Sequence, residues 1–283
     1  MMVHASRSLR WFVSGFLLFW AFVVLFPLYW TFTISLKDSA GIFGGASFIP
    51  WVDFEPTLDA WRRVFLQPGG TLLSLSNSAI IGVISAAFAT ITGGLAGYGL
   101  SRFRYKFGPL RNRDIAFWIL SQRMLPPVVV VLPLFVMFST VGLIDSRFGM
   151  ILLYTMFNLP IAAWLMYQYF TQIPLDLDEA ARIDGATDLQ VFRHVALPLA
   201  RPGLVATFIV SLVFAWNEFL FALIFTFSQA RTMPILVAGQ ATQHGPQWWD
   251  IAVMALITVA PLVLITALLG RRLLGDILAG WGK

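Results

Sequence analysis

Six apolar runs, each near the ~20 residues needed to cross the hydrocarbon core of a bilayer, constrain this chain more than any motif does. They lie at about 12–36, 73–100, 115–138, 148–170, 203–227 and 251–269. Lipid offers the backbone no hydrogen-bond partners, so runs of this length read as helices that satisfy their own amides. The composition agrees. With 58% hydrophobic and only 12% charged residues in 283, there is too little charge to cover a soluble domain of this size. The expected fold is an all-α membrane protein with six transmembrane helices, forming a single transmembrane domain over 1–283.

Charge sets the expected orientation. Arg7 and Arg10, then Arg102, Arg104, Lys106, Arg111 and Arg113, then Arg182, Arg193 and Arg201, and finally Arg271, Arg272 and Lys283 fall on one side if six spans alternate. By the positive-inside rule that side is the cytoplasm, with both termini there. Basic residues beside apolar spans give orientation, and they exclude a nucleic-acid reading of the positive net charge. The first run follows a basic start as a signal peptide would. It is too long for a signal h-region and no Ala-x-Ala site follows promptly, so it reads as a retained anchor.

One polar island, 171–202, interrupts the apolar pattern and falls on the cytoplasmic side. Pro174 stops the preceding helix, Asp176 stands three residues before Glu179 as in a capping box, and a short helix is expected from about Leu177. Gly185 is placed to end it in the left-handed conformation. Thr187 and Gln190 form a second capping box that starts a helix running from about Asp188 towards Ala196, with Leu189, Phe192 and Val195 on one face. An amphipathic helix-turn-helix lying on the membrane surface would show the same local features.

The pattern Glu179-Ala180-Ala181, then Ile183-Asp184-Gly185-Ala186, then Leu197-Pro198 twelve residues beyond the glycine resembles the EAA loop of ABC importer permeases. The match is to the maltose-type, carbohydrate-uptake branch. That resemblance implies a permease subunit of an ATP-driven importer, moving a sugar or polyol across the bacterial inner membrane. It implies a second homologous permease, an ATPase homodimer and a periplasmic or lipid-anchored solute-binding protein as partners. Glu179, Ala180, Ala181, Asp184, Gly185, Leu197 and Pro198 would dock in an ATPase cleft. ATP and Mg would be bound by the ATPase and no cofactor by this chain, which lacks a G-x-x-x-x-G-K-[ST] phosphate loop of its own.

Polar residues inside apolar runs are costly and mark function or helix contacts. Asn77, Arg123, Met124, Trp216, Asn217 and Glu218 are therefore candidates for the translocation path or for interhelical bonds. Pro126 and Pro127 predict a bend in the third run. On the outer side, 228–250 carries Gln240, Gln243, Gln247 and Trp248, which the resemblance would turn towards a binding protein; an interfacial aromatic belt is the competing account of Trp248. His4, His194 and His244 lie far apart in the chain, so no catalytic constellation emerges. A secondary, ion-coupled transporter would show inverted repeats and gives no reason for the loop; an importer of a non-carbohydrate solute fits the loop less closely.

Overall fold

The computed structural model describes residues 7–45, 47–66, 70–105, 108–242 and 245–281. In chain order the helices are α1 (Arg7–Ser35), α2 (Ser39–Phe43), α3 (Asp59–Leu66), α4 (Thr71–Arg102) and α5 (Asn112–Ser121), the last extended by a 3₁₀ turn over Gln122–Met124. Then follow α6 (Pro127–Thr140), α7 (Arg147–Thr171), α8 (Leu175–Ile183) and α9 (Asp188–Val191). A π-turn over Phe192–Ala196 leads into α10 (Leu197–Leu199), α11 (Arg201–Trp216), α12 (Leu220–Phe225), α13 (Met233–Ala238) and α14 (Trp248–Trp281). The two strands, Ala241–Thr242 and Gly245–Pro246, make one small antiparallel ribbon.

Among the described residues four helices are long and apolar enough to cross a membrane, and six spans result if each of two bent pairs counts as one. The first pair, Asn112–Met124 with Pro127–Thr140, bends by 84°. The expected break at the paired prolines is present: Pro126 and Pro127 cannot donate to the turn before them, and Pro127 instead opens α6. The second pair, Asp188–Leu199 with Arg201–Trp216, bends by 72°. Pro198 lacks the N–H that would close a normal turn, and just before it the Leu197 N–H reaches back five residues to the Phe192 carbonyl.

Two compact units divide the chain. In the first, residues 1–72 and 236–260, the buried Lys37 ammonium donates to the Ser47 carbonyl at 2.5 Å and lies 4.9 and 4.8 Å from the Trp30 and Phe54 ring centroids. Arg63 of α3 pairs with the buried Asp250 carboxylate at 3.1 Å.

In the second, residues 73–235 and 261–283, α4 packs directly on α7. Gly93 and Gly97, four apart on one face of α4, make that approach possible: a Cβ on Gly97 would lie 2.5 Å from the Tyr167 amide, and one on Gly93 2.6 Å from Ala162 Cβ. A core of Ile81, Phe138, Leu153, Phe221 and Phe225 fills the space beside them. The Asp145 carboxylate closes this unit at its α6–α7 corner, accepting from the amides of Phe227, Ser228, Gln229 and Ala230. Burial raises its pKa, but these donors outweigh burial and hold the carboxyl down at about 2.

The fifth apolar run differs from expectation. Its helix stops at Trp216, so Asn217 and Glu218 do not ride along a span continuing to 227. Glu218 instead accepts from the amides of Phe221 and Ala222 at 2.9 and 3.1 Å and thereby starts a separate helix, α12.

Candidate functional site

The polar island folds as a helix, a turn and an irregular second helix. α8 starts at Leu175 with Pro174 at its N-cap, so Asp176 lies inside the first turn and does not cap it. Gly185 has φ +88°, and no atom lies within 4 Å of where a Cβ would stand, so its conformation and not its surroundings demands glycine. The amides of Gly185 and Ala186 donate to the carbonyls of Arg182 and Ala181, closing a Schellman motif. Thr187 and Gln190 form the expected reciprocal capping box.

What fixes this unit to the bundle is Asp178, which the sequence did not single out. Its carboxylate accepts from Arg102 Nε at 2.6 Å, with both side chains almost fully buried. Arg102, at the end of α4, also donates to the carbonyls of Phe170 and Ile173, the last turn of α7 and the residues after it. Phe192 packs on Tyr98 with centroids 4.7 Å apart. Val191 and Ala196 are buried beside it, whereas Leu189 is 73% exposed, so the buried face centres on Val191, Phe192 and Ala196 and not on the Leu189, Phe192 and Val195 stripe expected.

The opposite face is left open. Glu179, Ala180, Asp184 and Gly185 are exposed, Ala181, Leu197 and Pro198 are half-buried, and Ile183 is 86% exposed. The arrangement presents a short helix with small residues, the carboxylates of Glu179 and Asp184 and an apolar tip on a firmly anchored base.

The intramembrane candidates separate into two groups. Asn77 bonds the carbonyls of Gln229 and Arg231 and receives Arg147 Nε at 2.7 Å, so it ties α4 to α7 and to the segment after α12. Trp216 is buried against α4 with Ala86 and Leu212 and faces neither of the two cavities beside Arg123. Met124 is exposed, and Asn217 is exposed with its amide turned back to the Val213 carbonyl.

Arg123 and Glu218 do line a cavity. A space of about 190 Å³ is bounded by these two with Tyr154, Asn158 and Phe221, and a larger one of about 310 Å³ lies on the other side of Arg123. Arg123 Nη1 donates to the Phe157 carbonyl at 2.6 Å, and the guanidinium lies 4.1 Å from the Phe214 ring centroid. Glu218 accepts from the Tyr154 hydroxyl at 2.9 Å, tying α12 to α7. Tyr154 and Asn158 were missed in the sequence, where an asparagine near the middle of the fourth apolar run was the available signal.

In the first unit Gln247 joins Trp249, Lys37, Asp38, Asp59 and Arg63 around a polar cavity of about 290 Å³. Trp248 is exposed, Gln240 is half-buried, and Gln243 lies outside the described residues.

Long apolar helices, two bent spans and an anchored helix-turn-helix left open on one face define a polytopic transport subunit of the ABC importer type. The chain belongs to the family of binding-protein-dependent transport system inner membrane components, whose sequence pattern matches residues 89–276. It is 35% identical over 261 residues to the trehalose transport system permease protein SugB of Mycobacterium tuberculosis, covering 90% of this chain and 91% of that one. It is 32% identical over 265 residues to the trehalose/maltose transport system permease protein MalG of Thermococcus litoralis, covering 92% of each. The fold matches that in a crystal structure of a bacterial ABC transporter involved in the import of the acidic polysaccharide alginate, with a TM-score of 0.73 at 23% identity, over 95% of this chain and 99% of the other. It is thus an inner-membrane permease of a binding-protein-dependent ABC system.

Proposed function

We propose that this permease imports a carbohydrate or polyol, pairing with a second, related permease and driven by two copies of a separate ATPase. The observation that carries this reading is the open face of α8, with Glu179, Ala180 and the glycine turn exposed on a base held by the Arg102–Asp178 pair. A helix so anchored transmits a push from below into α4 and α7 without bending away. Glu179 supplies a carboxylate for charge-assisted bonds to the ATPase, and Gly185 supplies a turn that an L side chain would strain. ATP and Mg are held by that ATPase, and this chain contributes motion.

The carbohydrate class is supported by the relatives named for trehalose and for trehalose/maltose transport. The polar cavity around Gln247 and Trp249 is a suitable surface for a solute-binding protein on the outer side.

The test is ATP-dependent uptake by the four-component complex in proteoliposomes, across a panel of trehalose, maltose, glucose and sorbitol. The reading predicts uptake of at least one probe only with its loaded binding protein, and its loss in both Glu179→Ala and Gly185→Asp. Uptake without ATP, or uptake indifferent to both substitutions, contradicts it.

A further inference from the structure

We propose that the cavity beside Arg123 is a transmembrane subsite for one neutral sugar ring, so that this subunit itself contacts the solute in transit. The inference rests on the importer reading above and adds to it where, and by which side chains, the solute is held.

Among the described residues Arg123 lacks a counterion and has donors to spare. Arg123 uses Nη1 on the Phe157 carbonyl at 2.6 Å and, more weakly, on Asn158 Oδ1 at 3.4 Å; among the described residues Nε and Nη2 have no hydrogen-bond partner. No carboxylate lies within ion-pairing distance of it among the described residues, although Glu218 lines the same cavity. A guanidinium at membrane depth with spare donors and no counterion is costly, and such groups persist where they serve a ligand or a path. Its plane is held by Phe214, 4.1 Å away, and by the Phe157 carbonyl, so the spare donors are fixed in place before any ligand arrives.

The rest of the wall supplies what a sugar ring uses. Glu218, held by the Tyr154 hydroxyl and the amides of Phe221 and Ala222, presents its carboxylate on the cavity wall. Phe157 and Phe221, with ring centroids 4.3 Å apart, give an apolar flank for the C–H face of a sugar. The hydroxyls of a neutral ring can donate to Glu218 and accept from Arg123, whereas the carboxylate of an anionic ring could only accept from Arg123. At about 190 Å³ the space is below the ~300–1,000 Å³ of drug-sized sites, so it suits one ring and not a chain.

Position adds the last element. Arg123, Leu125 and Phe157 line both this cavity and the neighbouring one of about 310 Å³, so these three side chains form the partition between them. Arg123 and Leu125 stand at the 84° bend where the 3₁₀ turn meets α6, and Phe157 faces them from α7.

The test uses the complete complex in proteoliposomes and reads the ratio of sugar moved to ATP hydrolysed, with radiolabelled trehalose, maltose, glucose and sorbitol and with glucuronate as an anionic probe. Arg123→Leu lowers that ratio by about tenfold, the loss of one bond to a charged donor, and Arg123→Gln, which keeps donors in place, recovers part of it. Phe214→Ala, which leaves the bonds of Arg123 intact, gives a smaller loss in the same direction and stands in if Arg123→Leu does not assemble. A ratio unchanged in Arg123→Leu, or in Phe214→Ala where that variant stands in, overturns the subsite while the importer reading stands. Glucuronate carried in preference to every neutral probe overturns the assignment to a neutral ring. Absence of ATP-dependent uptake by the unmodified complex for every probe removes the importer reading, and the subsite with it.

Discussion

Arg102 Nε and Asp178 Oδ2 lie 2.6 Å apart in a place that solvent does not reach, joining the end of α4 to the first turns of α8. Two further bonds from the same guanidinium reach the carbonyls of Phe170 and Ile173, so one side chain gathers α4, the end of α7 and α8. The open face of α8 is presented on this joint.

Breaking the joint from one side is expected to be expensive. Asp178→Ala leaves a buried guanidinium without a counterion, and Arg102→Ala leaves a buried carboxylate; each should destabilise the subunit by ~3–5 kcal/mol. The double variant Arg102→Met with Asp178→Leu should recover much of that loss, because no charge is then stranded. Thermal unfolding in detergent checks this, and equal losses in the single and double variants would mean that the pair is not coupled.

The α4–α7 contact makes a sharper contrast between neighbouring glycines. Gly97→Ala puts a methyl group 2.5 Å from the Tyr167 backbone and should cost ~1–3 kcal/mol or more, whereas Gly94→Ala meets only Leu204 at 3.5 Å and should be tolerated or slightly stabilising. The same melting experiment reads both.

How much of this was legible in the sequence depends on whether the cause was local. The bend at Pro126 and Pro127 and the left-handed Gly185 follow from backbone chemistry within a few residues, and both were readable. The end of α11 at Trp216 was not, because the apolar run continues through Leu220–Phe225 and hydrophobicity alone does not register a carboxylate that starts a new helix. Choosing Asp176 over Asp178 failed for a related reason. Both acids stand near the start of α8, and what separates them is an arginine 76 residues earlier in the chain. Gly93 and Gly97 did carry a local signal, small residues four apart in an apolar helix.

Asp145 gives the pH dependence of the α6–α7 corner. Its carboxyl titrates at about 2 in the folded chain against an ordinary 3.8, so it binds protons more readily when unfolded. Its contribution is therefore fully present above about pH 4 and is lost as pH falls from there through about 2. Asp145→Asn should remove this acid-side dependence and lower stability at neutral pH, since an amide cannot accept from the four amides of residues 227–230 as a carboxylate does. Unfolding midpoints of the two proteins between pH 2 and 6 should converge towards the acid end; parallel curves would show that the carboxylate charge is not what the corner needs.

The central claim is that the open face of α8 is where a separate ATPase grips this subunit. The chain has no cysteine, so Ala180→Cys introduces a single thiol on that face. Short bifunctional crosslinking of the assembled complex should join Cys-substituted position 180 to the ATPase, with the yield changing when ATP is added, while a thiol in place of exposed Trp248 should give no such product. An ATPase crosslink from Trp248→Cys and none from Ala180→Cys would contradict the account directly.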